Sequence, residues 1–545
     1  MTETSFGANI IEILTDGMYQ DSKVIYREYI QNACDQIDKA EQLGILNTRN
    51  IDSYYPDLGQ GEVNIWRDPE KRYISIEDNA TGIKAEHFQR TLLNVANSDK
   101  IMGKDKGFRG IGRLCGLAYC KTLVFTSRWI DEPIISIMRC NAEKMFEMIT
   151  EANTNVKMHS AIDVLNEITE FSTRPANDSD PKHFFKVELI DINKENGELF
   201  GDDVADYLSF VAPVPYDANF IYRSEIYAHV KQFNLKIDEY KIRINGEQIF
   251  KKYKKHLKTG NGQDEVFGVK FHNFMVGDSI VGWIWFGETN FIAAIKDEEI
   301  SRGLRLRKEN IQIGDNNILR DLFTRDKRGN SYFIGEMFAV SPQLIPNSRR
   351  DYFNENLTRV NFENMLKDYF NSVLYYIYYE GSDINSSLKK INLYEKSIAI
   401  FEEKVAEGFL TPKEHEREER ELEAKAQEAE KAKKNLEKKR ESGRSILTSE
   451  IIERRSKDIP VTVDIKTLNH TSVTSQEENT VSINKDIISK NSSKKSLIDT
   501  MFPELSKSER KLLLEMIDKI LSIIRESTDK KVAENIINSI KEELK

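Results

Sequence analysis

The chain of 545 residues is 39% hydrophobic and 31% charged, and it carries a formal net charge of -10. A chain of this length is too long to fold around one hydrophobic core, so we expect roughly three or four folded units. The composition is typical of globular domains with some exposed helix. The acidic balance argues against a globally basic nucleic-acid-binding protein but leaves room for a local basic groove.

The N-terminal segment and the cysteines allow a prediction of the cellular compartment. The segment lacks both a basic leader and an apolar core of signal-peptide length, and no apolar run approaches the roughly 20 residues of a membrane span. The cysteines have neither zinc-binding spacing nor nearby paired histidines; they are Cys34, Cys115, Cys120 and Cys140. We therefore expect a cytoplasmic protein with reduced, buried thiols and no membrane partner.

The first motif lies in a predicted helix over about residues 21–43. Spacings of four and three residues place its polar side chains on one face, opposite Ile30, Ala33 and Ile37. This polar stripe consists of Asp21, Glu28, Asn32 and Asp35. Carboxylates beside an amide suit the orientation of water and the binding of a metal next to phosphates. A solvated helix face has the same spacing.

The second motif closes a predicted strand over residues 73–78. Asp78 lies on the same strand face as Ile74 and Ile76, so it is predicted to face the core. A carboxylate in that position needs a hydrogen-bonding partner. Gly82 follows four residues later, and glycine adopts backbone conformations that other residues avoid. An aspartate that only caps a turn at the end of a strand has the same local pattern.

The third motif is the glycine-rich segment formed by Gly107, Gly110 and Gly112. Lys100, Lys104 and Lys106 precede it, so exposed backbone amides are expected beside positive charge, which suits a polyphosphate. No Lys-Ser or Lys-Thr pair follows the glycines, which excludes a P-loop. A flexible loop without a ligand has a similar composition.

In this order and on these elements, the three motifs resemble those of the GHKL, or Bergerat-fold, ATPases. That family includes the heat-shock ATPase chaperones, MutL, DNA gyrase B, MORC proteins and sensor histidine kinases. The resemblance implies ATP and Mg²⁺ as cofactors, with Glu28 as the base, Asn32 as the Mg²⁺ ligand and Asp78 as the partner of adenine. It also implies a wider cofactor-binding set, namely Asp35, Gly82, Lys104, Lys106, Gly107, Gly110 and Gly112, the last three in a lid over the nucleotide.

The sequence departs from the family pattern in two places. Ala80 replaces the first glycine of Asp-x-Gly-x-Gly, so the turn must tolerate a β-carbon. The threonine-bearing strand that completes the adenine pocket in the family is not recognisable around residues 183–189. We assign no residue to that contact.

A second region, about residues 205–380, resembles the middle or transducer domain of the heat-shock ATPase chaperones at 303–315 and 344–353. The resemblance implies that an arginine from this region reaches the γ-phosphate, where a cation offsets transition-state charge. In the family this arginine stands in the pattern Asn-x-Ser-Arg-Glu. Alignment of the serine selects Arg349, whereas alignment of the acid after the arginine selects Arg350. Both remain candidates, with Arg350 preferred, and a surface arginine pair forming local ion pairs is the alternative.

The composition changes beyond about residue 385. Apolar residues from Ile391 to Val405 recur at alternating three- and four-residue steps, and the charge-balanced stretch 413–444 indicates a solvated helix. We therefore predict a long helix or coiled coil over 385–445 and a flexible linker over 446–500. The amphipathic helical unit predicted over 501–545 needs a surface to dock on.

Together these patterns predict an α+β protein. A Bergerat-fold α/β sandwich occupies residues 1–200, an α/β transducer domain occupies 205–380, and a helical or coiled-coil region follows. The implied function is ATP hydrolysis that closes a homodimer and acts on a protein client or partner. The alternative is a DNA-acting clamp of MORC or MutL type, for example in a bacterial defence system, which the acidic charge disfavours. A sensor histidine kinase fits poorly because no helix with a phosphoacceptor histidine precedes the ATPase motifs. A further alternative is a scaffold that binds nucleotide without hydrolysis, and the presence of Glu28 argues against it.

Overall fold

A computed structural model describes residues 6–15, 21–49, 57–94, 112–154, 156–409 and 411–458. It has the predicted α+β class, with a mixed helix-and-strand N-terminal part and a long helical C-terminal part. Lys104, Lys106, Gly107 and Gly110, and the helical unit predicted over 501–545, lie outside the described residues. No helix in these ranges has the length and apolar character needed to cross a bilayer.

The N-terminal part alternates helices and strands. Its helices are α1 (Asn9–Thr15), α2 (Val24–Gln42), α3 (Ala85–Leu93), α4 (Ala142–Asn153) and α5 (Ala161–Ile168). Its strands are β1 (Glu62–Asp68), β2 (Tyr73–Asp78), β3 (Cys120–Arg128), β4 (Ile134–Asn141), β5 (Thr169–Pro175) and β6 (Phe184–Ile192), and a 3₁₀-helix spans Gly112–Ala118. A second 3₁₀-helix, Lys194–Phe200, ends this part.

The predicted helix over 21–43 is α2, but it begins at Val24. Asp21 lies before it and accepts a hydrogen bond from the Lys23 amide at 2.9 Å. An aspartate that binds the backbone two residues ahead favours a turn over a helix. The prediction that Asp21 continues the polar stripe of α2 is therefore wrong.

One eight-stranded sheet organises this part, in the order β5-β4-β3-β6-β2-β1-β7-β8. The last two strands, β7 (Lys241–Ile244) and β8 (Glu247–Gln248), follow helices α6 (Asp203–Val211) and α7 (Arg223–Gln232). β7 pairs in parallel with β1, whereas the other neighbours are antiparallel. The first sheet therefore takes in residues beyond 200. Helix α2 packs in the core with this sheet through Ile25, Ile30 and Ile37.

A second, five-stranded sheet has the order β11-β12-β15-β13-β14. Its strands are β11 (Gly268–Val276), β12 (Ser279–Glu288), β13 (Gly303–Lys308), β14 (Ile311–Ile313) and β15 (Ile334–Ala339), preceded by the hairpin β9 (His256–Thr259) and β10 (Gly262–Glu265). Short 3₁₀-helices at Arg320–Leu322 and Lys327–Tyr332 lead from β14 to β15. The aromatic rings of Trp283 and Phe338 stack across this sheet at 4.4 Å.

The C-terminal part is helical: α8 (Leu357–Tyr369), a π-helical turn (Phe370–Leu374), α9 (Tyr375–Glu407), α10 (Pro412–Ser442) and α11 (Thr448–Asp458). Helices α9 and α10 run antiparallel, since Lys404 pairs with Glu418 near their junction and Asp383 pairs with Lys439 far from it. Residues 448–458 lie in the stretch that composition predicts to be a flexible linker, yet they form α11. Leu447, Ile451 and Ile452 are buried there, so packing overrides the polar composition.

All four cysteines are buried and free, as predicted. Burial raises the pKa of the Cys140 thiol to about 11. A thiol with so high a pKa stays protonated near neutral pH and is a weak nucleophile. These residues therefore pack as small apolar side chains.

Candidate active site

Helix α2 places three motif residues on one face. Glu28 has a side-chain exposure of 12%, Asn32 is half-buried and Asp35 is buried. Residues four and three positions apart lie above one another on a helix. The amphipathic pattern therefore orients this polar face away from the side chains that α2 buries in the core.

Glu28 is paired with its sequence neighbour. Nη2 of Arg27 lies 3.2 Å from Oε1 of Glu28 and donates a second hydrogen bond, also at 3.2 Å, to the backbone carbonyl of Arg349. The Arg27 side chain is only 11% exposed. Sequence reasoning missed Arg27, because adjacent residues on a helix point in different directions and their spacing predicts no contact.

Gly112 begins the 3₁₀-helix directly against Glu28. A β-carbon at this position would collide with Oε2 of Glu28. The neighbouring Tyr29 hydroxyl accepts a hydrogen bond from the Gly116 amide at 3.0 Å and donates one to the Arg113 carbonyl at 3.1 Å. Burial raises the pKa of Tyr29 well above its usual value, so the phenol remains a donor. Gly112, the last glycine of the third motif, therefore lies against Glu28 of the first motif.

Arg350 belongs to the loop of the second region whose Arg349 carbonyl contacts Arg27. It is 6% exposed and has a φ of 55°, and its carbonyl accepts a hydrogen bond from the Gly314 amide at 2.7 Å. Burial lowers the pKa of the guanidinium, and the Glu28 carboxylate opposes this shift more strongly than Glu309 or Asp35. Left-handed backbone at a non-glycine residue is strained and clusters at functional sites.

Arg349 occupies a different position. Its side chain is exposed, and its contact with α2 is made by the backbone carbonyl that accepts from Arg27. The two arginine candidates are therefore distinguished by geometry. The buried charge near Glu28 belongs to Arg350, while Arg349 holds the loop to the helix through the main chain.

The second motif forms a tight turn at the end of β2. Asp78 is 3% exposed and accepts a hydrogen bond from the Ala80 amide at 3.1 Å. Ala80 is fully buried and is not among the residues with positive φ, so it keeps a β-carbon without strain. Gly82 has a φ of 65°, and a β-carbon there would overlap the Arg128 carbonyl. Gly82 is thus required where the turn meets β3.

The strand beside Asp78 carries no threonine at the paired position. Phe185 of β6 lies opposite Asp78, and Ser127 of β3 lies opposite Phe185. The Ser127 hydroxyl accepts from the Ile83 amide at 2.7 Å and donates to the Phe184 carbonyl at 3.3 Å. Ser127 therefore fixes the turn after Asp78, a role that no sequence pattern indicated.

The residues of the α2 face suit Mg²⁺ that is bound together with phosphates. Within the described ranges, no group of three or more His, Cys, Asp or Glu side chains could hold a metal ion. Mg²⁺ usually takes one or two protein oxygens and completes its shell with water and phosphate. The Asn32 amide, between Glu28 and Asp35 on one helix face, fits such a partial ligand set.

Residues 24–173 match a family model described as "Histidine kinase-, DNA gyrase B-, and HSP90-like ATPase". The matched residues include α2, the Asp78 turn and Gly112, but not Arg349 and Arg350 of the second region. This part of the chain is a GHKL-type ATPase domain, as the motifs indicated.

Among curated proteins, the chain is similar to chaperone proteins HtpG. It is 27% identical to the protein of Psychrobacter cryohalolentis over 138 residues, which is 23% of this chain and 20% of that protein. It is 31% identical to that of Orientia tsutsugamushi over 93 residues, covering 16% and 14%. With that of Acinetobacter baylyi, the identity is 28% over 133 residues, covering 22% and 20%. The chain thus spans a fifth or less of the length of these relatives.

Proposed function

We propose that this protein binds and hydrolyses ATP with Mg²⁺ and uses the cycle to close a homodimer on a protein client, in the manner of HSP90-like chaperones. The observation that carries the proposal is the position of Arg350. Arg350 is a buried cation of the second region, and the carbonyl of the preceding Arg349 accepts a hydrogen bond from Arg27, the ion-pair partner of Glu28. Such an arrangement links the nucleotide site to the relative position of two regions of the chain.

Glu28 is the proposed base that orients the attacking water. Its pairing with Arg27 holds the carboxylate in place, and its low exposure limits competing solvent. Arg350 offsets charge that develops on the transferred phosphoryl group. Asn32 would hold Mg²⁺, which would supply further charge neutralisation when bound with ATP. Asp35 completes the polar face of α2 towards the nucleotide.

Asp78 is the proposed adenine partner. Its carboxylate is buried at the end of β2, where an exocyclic amine could donate to it. The lid role of Gly107, Gly110 and Gly112, with Lys104 and Lys106 beside the phosphates, remains part of the proposal. Gly112 supports it, because the end of the glycine-rich segment lies against Glu28.

Asp78→Asn should weaken nucleotide binding without acting on the chemical step. The amide presents a donor where adenine also presents one, and leaves a buried group without a partner, which costs about 1–3 kcal/mol. Calorimetric titration with ATP and ADP should show weaker binding of both. Equal affinity in wild type and variant would place the adenine elsewhere.

Dimer closure and the choice of partner can be tested together. The full chain should associate more strongly with a non-hydrolysable ATP analogue than with ADP in analytical ultracentrifugation. Its ATPase rate should change when an unfolded model protein is added and remain unchanged with duplex DNA. Stimulation by DNA alone would instead favour the clamp of MORC or MutL type. Nucleotide-independent association would contradict closure.

A further inference from the structure

Two exposed arginines from distant loops converge on one tyrosine at the start of α9. Nη1 of Arg325 and Nη1 of Arg444 each donate a hydrogen bond to the Tyr376 hydroxyl at 2.8 Å. In the part of the chain that the structure describes, neither guanidinium forms an ion pair with a carboxylate. Two cations that share one neutral oxygen repel each other, and a bound anion would relieve that repulsion.

Side chains of the helix hold both arginine-bearing loops in place. Oδ1 of Asn371, in the π-helical turn, accepts from the Arg325 amide at 3.2 Å and from the Thr324 hydroxyl at 3.0 Å. The buried Glu380 carboxylate accepts from the amides of Arg444 and Ser445 at 2.9 and 3.0 Å. The fold therefore holds the backbones of both arginines close to Tyr376.

Aromatic rings lie beside the two cations. Tyr375 and Tyr379 stack with a centroid separation of 5.4 Å and an interplanar angle of 14°. The Arg325 guanidinium lies 5.1 Å from the centre of the Tyr375 ring, and Arg444 lies 5.3 Å from that of Tyr376. Tyr379 is 52% exposed, so it offers ring surface to a ligand. The π-helical turn just before Tyr375 is a backbone feature frequent at functional sites.

Neighbouring charges do not cancel this arrangement. Lys327 pairs with Asp321 at 2.8 Å, and Arg328 pairs with Asp326 at 3.0 Å, so these cations are already balanced. Among the described residues, Arg325 and Arg444 have no carboxylate paired with their guanidinium groups, and the nearby Glu380 carboxylate is bound to the Arg444 and Ser445 amides. Guanidinium groups bind phosphate through two parallel hydrogen bonds, and exposed aromatic rings stack on bases whatever their sequence.

We propose that this tyrosine–arginine patch (Arg325, Tyr375, Tyr376, Tyr379 and Arg444) binds single-stranded nucleic acid. The two arginines contact backbone phosphates and Tyr379 stacks on a base. A phosphorylated peptide would use the arginines but would leave the exposed ring without a counterpart. The patch is made of residues outside the ATPase motifs and is independent of the proposed chaperone-like cycle.

The test is fluorescence anisotropy of the full chain with a labelled single-stranded oligonucleotide of about 15 nucleotides, a length within the range that single-strand sites cover. The double variant Arg325→Ala/Arg444→Ala should bind at least about tenfold more weakly, and its salt dependence should fall by about one unit of slope per lost contact. Tyr379→Ala should weaken binding about tenfold with an unchanged slope. The control variant Arg417→Ala/Arg420→Ala removes two exposed arginines of α10 and should bind like wild type.

ATP turnover of the same variants should equal that of wild type, which reports folding and separates this proposal from the proposed function. No binding by wild type, tighter binding of the matching duplex, or equal binding by all variants would overturn the proposal. Displacement of the oligonucleotide by a phosphoserine peptide at equal concentration would also overturn it, because the stacking contact would then contribute nothing.

Discussion

Glu28→Ala should leave ATP binding nearly intact and lower turnover by about 10²-fold or more, the usual scale for the loss of a positioned base. The carboxylate is 12% exposed, lies 3.2 Å from Arg27 and faces Gly112. Removal of the base affects the chemical step, whereas the adenine contact proposed for Asp78 stays. Single-turnover hydrolysis beside calorimetric ATP binding measures the two effects separately.

Asp21→Ala is the matched control for this variant. Asp21 lies just before α2, is exposed and accepts a hydrogen bond from the Lys23 amide. We expect its turnover to match that of wild type, although its sequence spacing resembles that of the motif. Unchanged turnover in Glu28→Ala would remove this residue from the mechanism.

Arg350→Ala should lower kcat by about 10²-fold while affinity for ADP changes little. ADP has no γ-phosphate, so the proposed contact exists only with ATP and in the transition state. Arg350→Lys keeps the charge and should recover part of the rate, although it loses the planar fork of donors. Paired turnover and ADP-binding measurements give the result, and thermal melting checks that the loop around residues 345–353 stays folded.

Arg349→Ala is the control within the same loop. Its side chain is exposed, and the contact with Arg27 uses the backbone carbonyl, which the substitution keeps. We expect a milder effect than in Arg350→Ala. The reverse order would transfer the γ-phosphate role to Arg349, and full activity in both variants would mean that the second region is not a transducer.

Local patterns in the sequence predicted the elements that carry the motifs. A period of 3.6 residues indicated α2 and the shared face of Glu28, Asn32 and Asp35. A period of two residues placed Asp78 on the buried face of β2, and the structure has it 3% exposed. Both features follow from bond geometry over a few neighbouring residues, which is why they are readable without the fold.

Tertiary structure alone decided which distant residues meet. The burial of Arg350 near Glu28, the parallel pairing of β7 with β1 and the packing of α11 depend on segments far apart in the sequence. Even the Arg27 side chain, which pairs with its neighbour Glu28, also donates a hydrogen bond to the distant Arg349 carbonyl. A periodic pattern reports which face an element buries, but the partner on that face is chosen by complementary packing and charge across the whole core.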